Sequence, residues 1–131
     1  MEKRVVNPWT WQEEWAFSHA WRVDGPRSTI YIAGQTGVAP DGEPIHAGDF
    51  DAECRLMFEN MREVCERAGA SLDDVVKMTV FISDMSRIGD FTRIKREFFP
   101  GDGPTQSAIG VVTLALPELT LEVEAIAVVP A

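Results

Sequence analysis

Apolar and polar residues alternate along the end of the chain. From Leu119 to Val129, Leu119, Leu121, Val123, Ala125, Ala127 and Val129 fall on one face of an extended strand. Thr120, Glu122, Glu124, Ile126 and Val128 fall on the other. A strand over Gln106–Leu114 is predicted before it, and Pro117, which has no N–H to give a ladder, marks the turn between them. Further strands are predicted over Phe17–Val23, Ser28–Gly34 and Asp74–Ile82. Asp24-Gly25-Pro26 reads as a turn that pairs the first two of these as a hairpin. Residues 1–16 carry no comparable pattern, and Asn7-Pro8 breaks what regularity there is, so this segment is expected to be irregular.

The period changes between residues 50 and 68. Cys54, Met57, Phe58, Met61, Val64, Cys65 and Ala68 make one helical stripe, with Glu53, Arg55, Glu59, Arg62, Glu63, Glu66 and Arg67 over the remaining surface. The helix is expected to run from Phe50 to Ala68, with Asp49 as N-cap and Gly69 as stop. A second helix, Met85–Phe99, ends at Pro100-Gly101. The order β-β-α-β-α-β-β describes an α+β fold: one mixed sheet with two helices on one face, a single domain over residues 1–131. Val76, Met78, Val80 and Ile82 suit the helix side of the sheet. The opposite side is neither fully polar nor fully apolar and needs cover of its own.

Composition narrows the partners. The net charge of −9 argues against nucleic acid, which is bound through clustered Lys and Arg. No apolar run approaches the roughly 20 residues of a membrane helix. Met1–Val5 contains no signal-peptide core, so a cytoplasmic location is expected. Cys54 and Cys65 lie about 16 Å apart along one helix, too far for a disulfide, and share its apolar face. They read as buried free thiols. No Cys/His spacing suggests a metal site, and no cofactor is implied.

The chemistry-bearing feature is the pair Glu122 and Glu124, side by side on a face that is otherwise largely apolar. A carboxylate in such surroundings is suited to take and return a proton. Trp9, Trp11 and Trp15, followed by Phe17, cover the edge of a small core or wall a ligand cleft. His19 on the first predicted strand is a possible proton carrier.

The wording of the chain resembles the Rid family, the YjgF-type reactive-intermediate deaminases. Pro104-Thr105-Gln106-Ser107 stands where that family has Pro-x-Arg-Ser, and Glu122-Val123-Glu124-Ala125-Ile126-Ala127 matches its Glu-x-Glu-Ala-Ile-Ala strand. Ile32-Ala33-Gly34-Gln35 is similar to its Ser-Gly-Gln strand end, and Phe58-Glu59-Asn60-Met61 to its Leu-x-Asn helix. Ala68 to Lys77 resembles its helix-to-strand turn nearly letter for letter.

The resemblance implies a chorismate-mutase-like fold and a homotrimer with ligand clefts between subunits. It also implies imine or enamine hydrolysis, with Glu122 placing the water and Glu124 in support. Backbone N–H groups near Gly34 or Ser107 are expected to polarise the substrate. The departures fall in the same site. Gln106 replaces the arginine that clamps the substrate carboxylate, Thr92 falls on an asparagine, and Phe17 on a tyrosine. Loss of that clamp costs an α-carboxylate about 2–3 kcal/mol of binding. The expectation is therefore a small imine or enamine-type substrate other than the usual amino-acid-derived imines. The alternatives are a non-catalytic trimeric metabolite-binding or regulatory module, and another deamination, since the scaffold also resembles aminomuconate deaminases.

Overall fold

The computed structural model describes residues 1–131. Its strands are β1 (Glu2–Val6), β2 (Ala20–Asp24), β3 (Arg27–Thr36), β4 (Val75–Ile82), β5 (Thr105–Gly110) and β6 (Leu121–Pro130). Helix α1 spans Phe50–Arg67, and α2 spans Ile88–Phe98. The main sheet has the order β3-β6-β4-β5, with β4 and β5 parallel and the other neighbours antiparallel. The β-rich sequence of β6 puts it at the centre, where Leu121, Val123, Ala125 and Ala127 are buried under the helices.

Helix α1 begins where the sequence places it. The Asp49 carboxylate accepts the Ala52 N–H at 3.1 Å, satisfying one of the free donors of the first turn. The stripe Cys54, Met57, Phe58, Met61 and Cys65 is fully buried against the sheet. Phe58 stacks on Phe91 and Phe98 of α2 at centroid distances of 5.7 and 4.9 Å, which locks the two helices side by side.

Four expectations are corrected. Residues 2–6 are not irregular: they form β1, antiparallel to β2, with Glu2 opposite Asp24 and Val6 opposite Ala20. The strand was hidden because only Val5 and Val6 are apolar and the partner lies beyond a 3₁₀ turn at Trp11–Trp15. The hairpin of β2 with β3 does not form: β2 pairs with β1, and β3 with β6. The strand predicted over Gln106–Leu114 ends at Gly110. Glu53, assigned to the solvated side of α1, is buried, and one of its carboxylate oxygens accepts the N–H groups of Thr120 and Leu121 at 2.9 Å each. These bonds join the start of β6 to α1. Burial still pushes the Glu53 carboxyl upward, against the pull of the two N–H groups.

The β1–β2 ribbon and the segment between its strands are held by the far end of the chain. Ser18 N–H donates to the Pro104 carbonyl (3.1 Å), and the Trp21 indole N–H to the Gly103 carbonyl (3.0 Å). Arg96 donates to the carbonyls of Glu13 and Glu14, at 2.9 Å each. Gly103 is required by closeness: a methyl group there would stand 2.5 Å from the Ala16 carbonyl oxygen.

Candidate active site

Period-two geometry gives the sheet two distinct faces. Thr79 pairs with Glu124 and Ser107, and Phe81 with Glu122 and Ile109, so these residues share the face without helices. Glu122 is half-buried and Glu124 exposed. The Glu122 carboxyl lies directly over Gly34. A methyl group at Gly34 would come within 2.7 Å of its carboxyl carbon, so only glycine leaves room for this side chain. The β3–β6 register shifts between Ile32 and Gln35, at this same point. A bulge interrupts ladder bonding and frees backbone groups beside the carboxylate.

Glu124 borders a shallow depression of about 210 Å³ with Tyr31, Lys77, Thr79 and Ile126. A second depression, about 420 Å³, lies between the Phe17–Trp21 segment and β5. Phe17, Gln106 and Ser107 meet there, with Trp21 and Lys77. Trp21 rather than Trp9, Trp11 or Trp15 supplies the indole wall. Trp11 packs edge-on against Phe17 at 5.7 Å, and Trp9 and Trp11 against His19 at 5.1 and 4.7 Å. The His19 Nε2 inside this ring of aromatics is buried without a partner.

One chain does not unite these groups. Gln106 pairs with Met78, and Met78 with Ala125, three residues along β6 from Glu122. At strand spacings this separates Gln106 from Glu122 by about 10 Å along the sheet and about 10 Å across it. Thr92 borders neither depression. It is buried in α2, and its hydroxyl donates to the Ile88 carbonyl at 3.0 Å.

A residue that the sequence reading passed over stands behind Gln106. Lys95 of α2 is fully buried, and its Nζ donates to Gln106 Oε1 at 2.7 Å. Burial brings this amine down to about 7, and Arg96 adds repulsion. The signal was available, because Phe91, Lys95 and Phe99 follow one another at i, i+4 along the buried side of the helix.

Comparison with known proteins decides the family. Residues 12–129 match the family model described as endoribonuclease L-PSP. This chain belongs to the Rid/YjgF family. A Rid-family protein of unknown function from Yersinia pestis, YyfB, superposes with a TM-score of 0.87 at 33% identity, covering 98% of this chain and 100% of that one. The mouse 2-iminobutanoate/2-iminopropanoate deaminase is 36% identical over 113 residues, 86% of this chain and 80% of the mouse protein. Escherichia coli TdcF, solved with bound serine, is 35% identical with a TM-score of 0.71, over 78% of this chain and 81% of that one. The fold of this Rid-family chain is accordingly the chorismate-mutase-like α+β arrangement.

Proposed function

We propose that this chain is a Rid-type hydrolase that deaminates an imine or enamine-type small molecule, in clefts between the subunits of a homotrimer. The observation that carries the reading is the Glu122 carboxyl seated over Gly34 at the β3 bulge. Similarity to the mouse 2-iminobutanoate/2-iminopropanoate deaminase supports the reaction class. The separation of Glu122 from Gln106 within one chain supports a shared cleft, in which Glu122 of one subunit faces the Gln106 depression of another.

The chemistry balances with water as the only co-reactant. The Glu122 carboxylate accepts a proton from water, and the hydroxide adds to the C=N carbon. Backbone N–H groups near Gly34 and Ser107 polarise the bond. The carbinolamine collapses to a carbonyl, and nitrogen leaves as ammonia with the proton returned by Glu122. Glu124 supports, and Phe17 and Ser107 line the substrate. Gln106 presents an amide where the family's clamp would present a guanidinium, so the substrate differs from the small amino-acid-derived imines.

Glu122→Gln keeps the shape and removes the base. Turnover of the best wild-type substrate from a panel of aliphatic and aromatic imines and enamines is expected to fall at least about a hundredfold. Wild-type turnover in that variant would remove the assignment. A second reading, a binding module without turnover, is favoured by the Thr92 hydroxyl being spent inside its own helix. It predicts ligand binding with no product from any imine or enamine in a panel of aliphatic and aromatic substrates.

A further inference from the structure

We propose that Lys95 is a positioning residue that fixes which end of the Gln106 amide meets the ligand, so that the ligand must offer an acceptor oxygen there, a carbonyl or a carboxylate. This rests on the reading above only in taking Gln106 as a ligand contact.

An ammonium group donates hydrogen bonds and accepts none. The 2.7 Å contact with Lys95 Nζ therefore requires that the Gln106 oxygen, and not its nitrogen, point inward. The amide nitrogen is left as the free end of a residue that borders the depression against Phe17 and Trp21. Gln106 alone has no preference between donating and accepting, and Lys95 removes that freedom. The ammonium also polarises the amide, because a hydrogen bond accepted at the oxygen strengthens the N–H donors. Positive charge thus persists one bond behind the place where the family's arginine would present it. Lys95 forms no salt bridge; Arg96 on its own helix opposes its charge, and Lys77 of β4 borders the same Gln106 depression. Once the amine is neutral it can accept, and the Gln106 amide is free to turn over.

The test follows the Gln106 side-chain NH₂ signals by nitrogen-15 NMR in the assembled protein, assigned with Gln106→Leu. Wild type, Lys95→Met and Lys95→Arg are compared from pH 6 to 9, with pyruvate and methyl pyruvate as probes. In wild type the signals are expected to move with a midpoint near 7, following burial of the amine. Pyruvate binding is expected to weaken about tenfold above that midpoint, the worth of one oriented hydrogen bond. Lys95→Met should bind weakly at every pH, and Lys95→Arg should bind with no pH dependence. Methyl pyruvate binding as well as pyruvate assigns the acceptor to a neutral carbonyl, and a preference for pyruvate assigns it to a carboxylate. Gln106 signals that ignore both pH and Lys95→Met would overturn the inference. So would a wild type that binds neither probe. If Lys95→Met does not fold, the wild-type pH series decides alone. Glu122→Gln separates the two ideas: unchanged turnover there defeats the hydrolase and leaves the Gln106 signals as predicted.

Discussion

Lys95 and Gly34 each carry a prediction at the level of a single side chain. The Lys95 amine gives up its proton near 7 in the folded protein but only near 10.5 when unfolded. Between those values the unfolded chain binds more protons, so stability should rise with pH from about 7 to 10.5 and stay level below 7. Denaturant titrations at several pH values should show this rise, on the order of a few kcal/mol, and Lys95→Met should abolish it. A flat wild-type profile would mean that Lys95 is not the desolvated amine described. At Gly34 the added methyl group of Gly34→Ala would displace the Glu122 carboxyl, the nearest atoms being 2.7 Å away. Turnover is expected to fall about a hundredfold while folding changes little. Equal activity in Gly34→Ala would show that the position of Glu122 over the bulge is irrelevant to function.

Elements differ in how much of them the sequence discloses. Helix α1 was legible to its cap, because Asp49, the apolar stripe and Gly69 all act within a turn or two. The alternation of β6 was legible as far as Ala127. Beyond it Val128, on the opposite face, is buried as well, and Val129 is only half-buried. β1 was illegible because its pairing partner is supplied from elsewhere in the chain. At the candidate site, the placement of Glu122 and Glu124 on β6 and of Gln106 on β5 was readable from their strand contexts. Lys95 was passed over, since its burial depends on an acceptor that β5 provides. This juxtaposition of α2 and β5 also changes what restoring the family's arginine should do. Gln106→Arg alone would set a guanidinium against the buried Lys95 amine. Gains on small amino-acid imines, up to about a hundredfold from the clamp, are therefore expected only when Lys95→Met accompanies it. Steady-state kinetics of the two single variants and the double variant give the coupling directly. Additive effects would place Lys95 outside the site.

For the molecule as a whole, the uncovered sheet face is the governing fact. Tyr31 is 79% exposed and Ile109 44%, on a sheet whose other face is packed by two helices. An exposed apolar surface of this kind is covered by association. Light scattering at micromolar concentration should return three times the chain mass, and a monomer would end the shared-cleft reading. The ribbon of β1 and β2 adds a consequence in time. Lys3 of β1 donates to the Asp73 carbonyl, while Trp21 and the segment between the strands are held by Gly103, Pro104 and Arg96, roughly three-quarters or more of the way along the chain. During synthesis β1 and β2 can pair early, but the Trp21 indole and the segment from Glu13 to Ser18 lack these partners until most of the protein has left the ribosome. In refolding, tryptophan emission should settle later than the far-ultraviolet helix signal. The segment between β1 and β2 is thus among the last parts of the chain to find its place.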